Sequence, residues 1–400
     1  MAKPEIRLKG FEGEWEKLEL NHIFQERHVI STITQDLPQL SFTIEEGVIK
    51  PEDRKSNKRD FLIKDKTNKK YLVTLLDDMI YNPANVIHGA IHKNSLCNGV
   101  VSPIYKIFHT NQNADFLDCI VRRKGFIKEV SKYMEGTVLK LRTLKPDSFL
   151  KLSIHIGTRP EQNAIADYFK SLDSMLQSTT KKIESLKQMK SACLVSMFPQ
   201  AGETTPRVRF KGFEGEWEDV SFRDISYPAG TKNRENLPLE SYSISNEFGF
   251  IPQQEQFENG GTMSKADKKM YYVVTPDSFA YNPARINVGS IGYDNLDKDV
   301  IVSSLYVVFK TDDKTYNPFL DYWFKTPMFK KMIELYQEGG VRLYFFYDKL
   351  CSCHFRRPSL KEQQRIASYF KSLDKQISLQ EQRLEKLKQI KAACLDKMFV

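Results

Sequence analysis

Lys9-Gly-Phe-Glu-Gly-Glu-Trp-Glu16 returns letter for letter as Lys211 to Glu218. Other segments repeat with it. Tyr81-Asn-Pro-Ala84 returns as Tyr281 to Ala284, Gly89 and Ile91 as Gly289 and Ile291, and Tyr168-Phe-Lys-Ser-Leu-Asp173 as Tyr369 to Asp374. The offsets are 202, 200 and 201 residues, so the chain is a collinear duplication. Residues 21–80 and 223–280, in contrast, share no motif. Matching ends around unlike interiors imply one scaffold carrying two different reading surfaces, because plain drift would have blurred the ends as well.

Each half has the same plan. Short runs such as Tyr71–Leu75, Tyr105–Phe108, Tyr271–Val274 and Leu305–Phe309, broken by Asn-Pro and Gly turns, read as strands. Helical patterns lie near Phe116–Lys128 and Pro318–Gln337, so both domains are α+β and strand-rich. A long helix follows each. Neither Pro nor Gly occurs between Pro160 and Pro199, or after Pro358, and a proline at the start presets φ for the first turn.

Apolar residues in the first helix recur at Ile165, Phe169, Leu172, Leu176, Ile183, Leu186, Cys193 and Met197. Ile366, Phe370, Leu373, Ile377, Leu384, Leu387, Cys394 and Met398 match them in the second. Steps of four and three make this a heptad seam, interrupted at Thr179 and Gln380 and again at Lys190 and Lys391. Polar residues at matched seam positions favour control of register over chance. Each helix should span roughly 60 Å, whereas the linker Pro199–Arg209 reaches at most about 40 Å. The second helix therefore runs back along the first, antiparallel, with one domain toward each end and a pseudo-two-fold axis. The expected division is domain one over 1–157, helix one over 158–198, linker 199–209, domain two over 210–356 and helix two over 357–400.

Composition narrows the function. Of 400 residues, 40% are hydrophobic and 28% charged, enough for two cores, and the net charge of +9 favours a polyanionic partner. Six scattered cysteines, with Cys193 and Cys394 in helical patterns, fit a reducing compartment. A polar N-terminus and no apolar run of membrane length place the expected location in the cytoplasm.

Catalytic motifs are missing from the sequence. Asn82-Pro83-Ala84 and Asn282-Pro283-Ala284 lack the second proline and the aromatic of an adenine-methyltransferase motif, and read as turns. Asn259-Gly-Gly261 follows a polar stretch rather than a strand, which argues against a cofactor-binding loop. Cys351, Cys353 and His354 have no second ligand pair nearby, so no metal is expected. His88, His92 and His109 have no nucleophile alongside and receive no catalytic role. Basic residues are the better signal. Lys50, Arg54, Lys55, Lys58, Arg59, Lys69 and Lys70 in the first half, and Lys232, Arg234, Lys265, Lys268, Lys269 and Arg285 in the second, are candidates for phosphate contact. Gln253 and Gln254 could read adenine edges. Arg342 follows Gly339-Gly340, where paired glycines allow close backbone approach to a duplex.

The order domain, long helix, domain, long helix resembles type I restriction–modification specificity subunits. Lys-Gly-Phe-Glu-Gly-Glu-Trp-Glu is similar to the opening segment of their domains, Pro358-Ser-Leu-Lys-Glu-Gln-Gln-Arg-Ile366 to their helix-opening signature, and Tyr-Phe-Lys-Ser-Leu-Asp to its continuation. One departure is that Arg159-Pro160 runs directly into Glu161-Gln162, without the Ser-Leu-Lys of 359–361. The resemblance implies a non-catalytic, DNA-binding adaptor in which each domain reads half of a bipartite target. It also implies that the helices set the gap and dock modification subunits. S-adenosylmethionine would then belong to those subunits, and ATP and Mg to separate restriction subunits that move and cut DNA. A structural coiled-coil scaffold with two protein-binding domains is the alternative, and salt-dependent binding to duplex DNA distinguishes the two.

Overall fold

The computed structural model describes residues 2–54, 69–136, 142–246, 249–256 and 268–400. The chain divides into two compact units, Met1–Thr180 with Arg383–Val400, and Lys181–Gln382. The long helices are Arg159–Ser196 and Leu360–Lys397, and each unit owns part of both. Pro160 sits in the first turn of its helix as expected, but Pro358 lies two residues before the other. There the Gln363 side chain folds back on the Pro358 carbonyl as Gln162 does on the Gly157 carbonyl, so both helices begin at equivalent residues, Arg159 and Leu360, and Pro358 stands where unit one has Gly157.

Unit one opens with a ribbon, Glu16–Glu19 antiparallel to Ser153–Ile156, that ties the start of the domain to the start of the long helix. Its scaffold sheet has the order Phe24–Glu26, Lys106–Thr110, Met79–Tyr81, Ile91–Lys93, with every neighbour antiparallel. A second, three-stranded sheet holds Ile30–Ser31, Tyr71–Thr74 and Gly99–Val101. The hairpin Ser41–Thr43/Gly47–Ile49 adjoins it through the parallel bridge of Gln39 with Val100. Helices Ala114–Val121 and Lys124–Lys132 cover the scaffold core, which includes Trp15, Tyr81, Phe108, Phe116 and Phe149.

Unit two repeats the scaffold. Its ribbon is Glu218–Ser221 with His354–Arg357, and its sheet order is Ser226–Pro228, Val307–Thr311, Phe279–Tyr281, Ile291–Tyr293. The other sheet keeps its order as well: Thr231–Lys232, Tyr272–Val274, Val300–Val302, Ser241–Ser245, Gly249–Pro252, with the third and fourth parallel like Val100 and Gln39 in unit one, but here the hairpin is joined by a longer pairing into one five-stranded sheet. The strand expected from Leu305 begins at Val307, because Ser303 to Tyr306 close a turn and leave Leu305 in solvent.

The helix seam is buried in both units: Ile165, Phe169, Leu172, Ile183, Leu186, Ile366, Phe370, Leu373, Ile377 and Leu387 are each less than one-tenth exposed, and Leu176 and Leu384 are half-buried. In unit one Tyr168 meets Cys394 and Asp173 meets Lys391, so the two helix segments run antiparallel there. In unit two Lys187 meets Glu381, Lys190 meets Asp374 and Cys193 meets Tyr369, again antiparallel. The repeated Tyr-Phe-Lys-Ser-Leu-Asp therefore has a packing role. Its tyrosine touches a cysteine of the facing segment, and its aspartate neutralises the lysine that interrupts the seam. Its phenylalanine stacks within its own unit, Phe169 on Phe399 and Phe370 on Phe198, at 5.9 and 6.0 Å. Thr179, the other interruption, is buried and returns its hydroxyl to the Met175 carbonyl at 2.7 Å.

Candidate nucleic-acid interface

Among the described residues of unit one, the candidate cations bracket a single interval. Lys50 is exposed just after the hairpin, and Arg54 is half-buried with no hydrogen-bond partner for its Nε. Lys69 and Lys70 are exposed just before Tyr71–Thr74, and the Lys69 ammonium lies 5.5 Å from the Tyr71 ring centre. Lys55, Lys58 and Arg59 fall outside the described residues. Both ends of the interval rise from the three-stranded sheet and its hairpin, not from the repeated scaffold.

In unit two the candidates separate into three places. Lys232 is on the edge strand of the five-stranded sheet, opposite Tyr272 in register; its Nζ sits 3.6 Å from that ring centre and donates to the Met270 carbonyl at 3.0 Å. Exposed Arg234 follows it, and Lys268 and Lys269 precede the neighbouring strand, with the Lys268 carbonyl accepting from Tyr271 N–H. These four form one basic edge. Gln253 and Gln254 open a one-turn helix after Gly249–Pro252, which is the opposite edge of the same sheet. At about 4.8 Å per strand the two edges are roughly 19 Å apart. Lys265 and Asn259-Gly-Gly261 lie outside the described residues.

Arg285 and Arg342 make the third place, on the scaffold. Tyr281-Asn-Pro-Ala is a turn, as expected, in which Asn282 Oδ1 accepts the Ala284 N–H at 3.0 Å and Arg285 N–H bonds the Asn282 carbonyl. The Pro283 carbonyl then accepts the Phe345 N–H at 3.0 Å, anchoring the segment that carries Arg342. Unit one does the same with Pro83 and Leu144. Gly339 has φ +134°, and a Cβ there would lie 2.0 Å from the Arg342 carbonyl oxygen, so the glycine is demanded by closure of its own turn. Gly340 faces open space.

Other sequence candidates do not converge on chemistry. Cys353 is buried, its thiol donates to the Lys349 carbonyl and burial pushes its pKa up to about 12, while exposed His354 faces Asp219. No group of three potential metal ligands occurs among the described residues. His92 Nε2 contacts the Ile44 carbonyl at 2.7 Å, and burial lowers its pKa. No helix among the described residues is long and apolar enough to cross a membrane.

One repeated device escapes a motif-based reading. Arg7 makes a two-pronged pair with buried Glu161, and Arg209 makes the same pair with buried Glu362. Gln162 and Gln363 beside them each return a side-chain amide to the backbone just before the helix. The signal was present, since Arg7 and Arg209 sit two residues ahead of the repeated octapeptide and Glu-Gln opens both helices, but nothing in sequence links residues about 154 apart.

Taken together, these features define a duplicated α+β scaffold that mounts a second sheet of unlike sequence in each unit. Residues 250–389 match the model of the type I restriction modification DNA specificity domain. The whole chain is similar to the type I restriction–modification system S subunit from M. genitalium, at 13% identity and a TM-score of 0.56, covering 100% of this chain and 99% of that one. It is also similar, at 16% identity and a TM-score of 0.50, to a chain from work on complex assembly and conformational transition of the type I R-M system, covering 96% and 97%. Comparison with curated proteins returns no match. Over residues 250–389 the chain is thus similar to that DNA specificity domain, and its fold as a whole is similar to that of the S subunit from M. genitalium.

Proposed function

We propose that each unit reads one half of a bipartite duplex target, and that the long helices act as a coiled-coil spacer that sets the gap and docks modification subunits. The recognition domains would be 1–157 and 210–356. One observation carries this reading: the scaffold segments repeat between the units, whereas the second sheets, though of the same strand order, are built from residues that share no motif. A protein that needed only two identical attachment points would have no use for that difference.

In this reading the cations at the sheet edges take phosphates, and the sheets and their loops take base edges. Bases are modified by partner subunits that bring S-adenosylmethionine, and restriction subunits bring ATP and Mg; this chain brings only address and spacing. For both units to meet one face of B-DNA, half-site centres should lie about one turn, roughly 10 base pairs, apart.

The test is methylation sequencing of a strain with and without the gene, paired with duplex binding by the purified chain. Two unlike half-sites separated by a fixed gap, and affinity that falls steeply with salt, are expected. A single continuous palindrome would exclude the reading.

A further inference from the structure

Helix Pro327–Tyr336 ends at a short tip whose side chains point into water in an unusual way. Glu338 and Tyr344 exchange both backbone hydrogen bonds, at 2.9 and 2.8 Å, and pinch off residues 339–343. Val341 at the apex is 107% exposed, more than in an extended chain, and Leu335, Leu343 and Phe346 around it are 73%, 43% and 45% exposed. The rings of Tyr344 and Phe346 lie parallel, 5.4 Å apart with 3° between planes, as alternate residues of an extended segment do. Phe345 between them is fully buried and tied to the Pro283 carbonyl, so the tip stands on a fixed base.

A turn that only reverses the chain is served by polar residues, so an apolar apex held this rigidly needs a partner that covers it. Charge selects the partner. Arg342 adjoins the apex with no ion-pair partner among the described residues, and exposed Arg285 flanks the turn that anchors Phe345. An apolar side chain beside unpaired arginines is how proteins enter the minor groove, pressing the apolar group against a base step while guanidinium groups follow the narrow, negative groove.

We propose that the tip Gly339–Leu343 is a wedge for the minor groove of duplex DNA, with Val341 against a base step and Arg342 along the groove or its phosphates. The inference rests on the DNA-reading function above and adds a contact mode to it. The wedge need not read sequence; it would hold the duplex in a bent or opened form under unit two.

Val341 touches too little of its own chain for Val341→Ser to disturb folding, so the test is clean. The full chain would be titrated with duplexes bearing the target from methylation mapping, each with 2-aminopurine at one of successive positions. Fluorescence should rise at one step with the natural chain. With Val341→Ser it should not, and affinity should fall about tenfold with the salt dependence unchanged, while Val341→Ile retains both. Arg342→Ala should lower the slope of log affinity against log salt by about 0.9. Natural chain that binds and Val341→Ser that behaves identically would overturn the wedge and leave the reading function standing. Val341→Ser that binds DNA normally but no longer assembles with modification subunits would reassign the tip to protein docking. Absence of duplex binding by the natural chain would remove both.

Discussion

Asn94 and Asp294 occupy the same place in the two units, after the last strand of the scaffold sheet, and their environments show how a duplicated fold diverges. The Asn94 amide donates to Thr74 Oγ1 and to the carbonyls of Leu75 and Cys97, closing a buried loop. Asp294 is equally buried, and its Oδ1 accepts the Leu296 N–H, but Oδ2 has no partner. Ser278 stands where Asp78 pairs with Arg27 in unit one, and its hydroxyl is also unpaired. Shared backbone therefore does not guarantee shared polar satisfaction. Unit one completes this corner with an amide and an ion pair, whereas unit two leaves it short of a donor.

Four experiments bear on the comparison. Replacing residues 21–111 by 223–312 gives both units a second sheet of the same sequence, and should convert an asymmetric target into one with two copies of the second half-site. Methylation sequencing reads the outcome; an unchanged target would show that specificity is not carried by these interiors.

Next come the repeated Arg–Glu pairs. Glu362→Ala leaves Arg209 without its partner and should destabilise unit two by about 3 kcal/mol. Glu161→Ala should cost about 1 kcal/mol more in unit one, because Trp15 Nε1 also donates to Glu161 whereas Trp217 Nε1 has no partner to lose. Hydrogen exchange resolved by peptide, in rising urea, separates the two units.

Asp294 predicts a pH dependence. Burial foremost, with Asp277 and Asp299 adding to it against the Leu296 N–H and Lys310, raises its carboxyl from 3.8 to about 6. The folded state then holds a proton that the unfolded chain releases between those values. Stability of unit two therefore falls as pH rises through that window, by up to about 3 kcal/mol. Asp294→Asn should abolish this loss and stabilise unit two at pH 8, while Asn94→Asp should import it into unit one. Urea melts at pH 5 and pH 8 compare them, and parallel curves for natural chain and Asp294→Asn would contradict the assignment.

The smallest difference lies in the helices. Lys391 pairs with Asp173 and Lys190 with Asp374, but Asp374 also accepts the Tyr322 hydroxyl at 2.8 Å. Asp374→Ala should therefore cost about 1 kcal/mol more than Asp173→Ala. Equal losses would show that the tyrosine contact adds nothing.

Periodicity and repetition determined much of this protein without coordinates. Heptad spacing from Ile165 to Met197 and from Ile366 to Met398 locates both helices, because an apolar stripe and freedom from Pro and Gly are local properties of the chain. The octapeptide repeat similarly reveals the scaffold and its two copies. Tertiary structure alone decided which distant groups meet: Arg7 with Glu161, Lys391 with Asp173, Pro283 with Phe345. It also decided that Gln253 and Lys232, both plausible by composition, sit on opposite edges of one sheet. Strands of three residues carry too little pattern to specify their neighbours, so the order of a sheet, and with it the arrangement of a binding surface, is set by long-range pairing and packing that no short stretch of sequence contains.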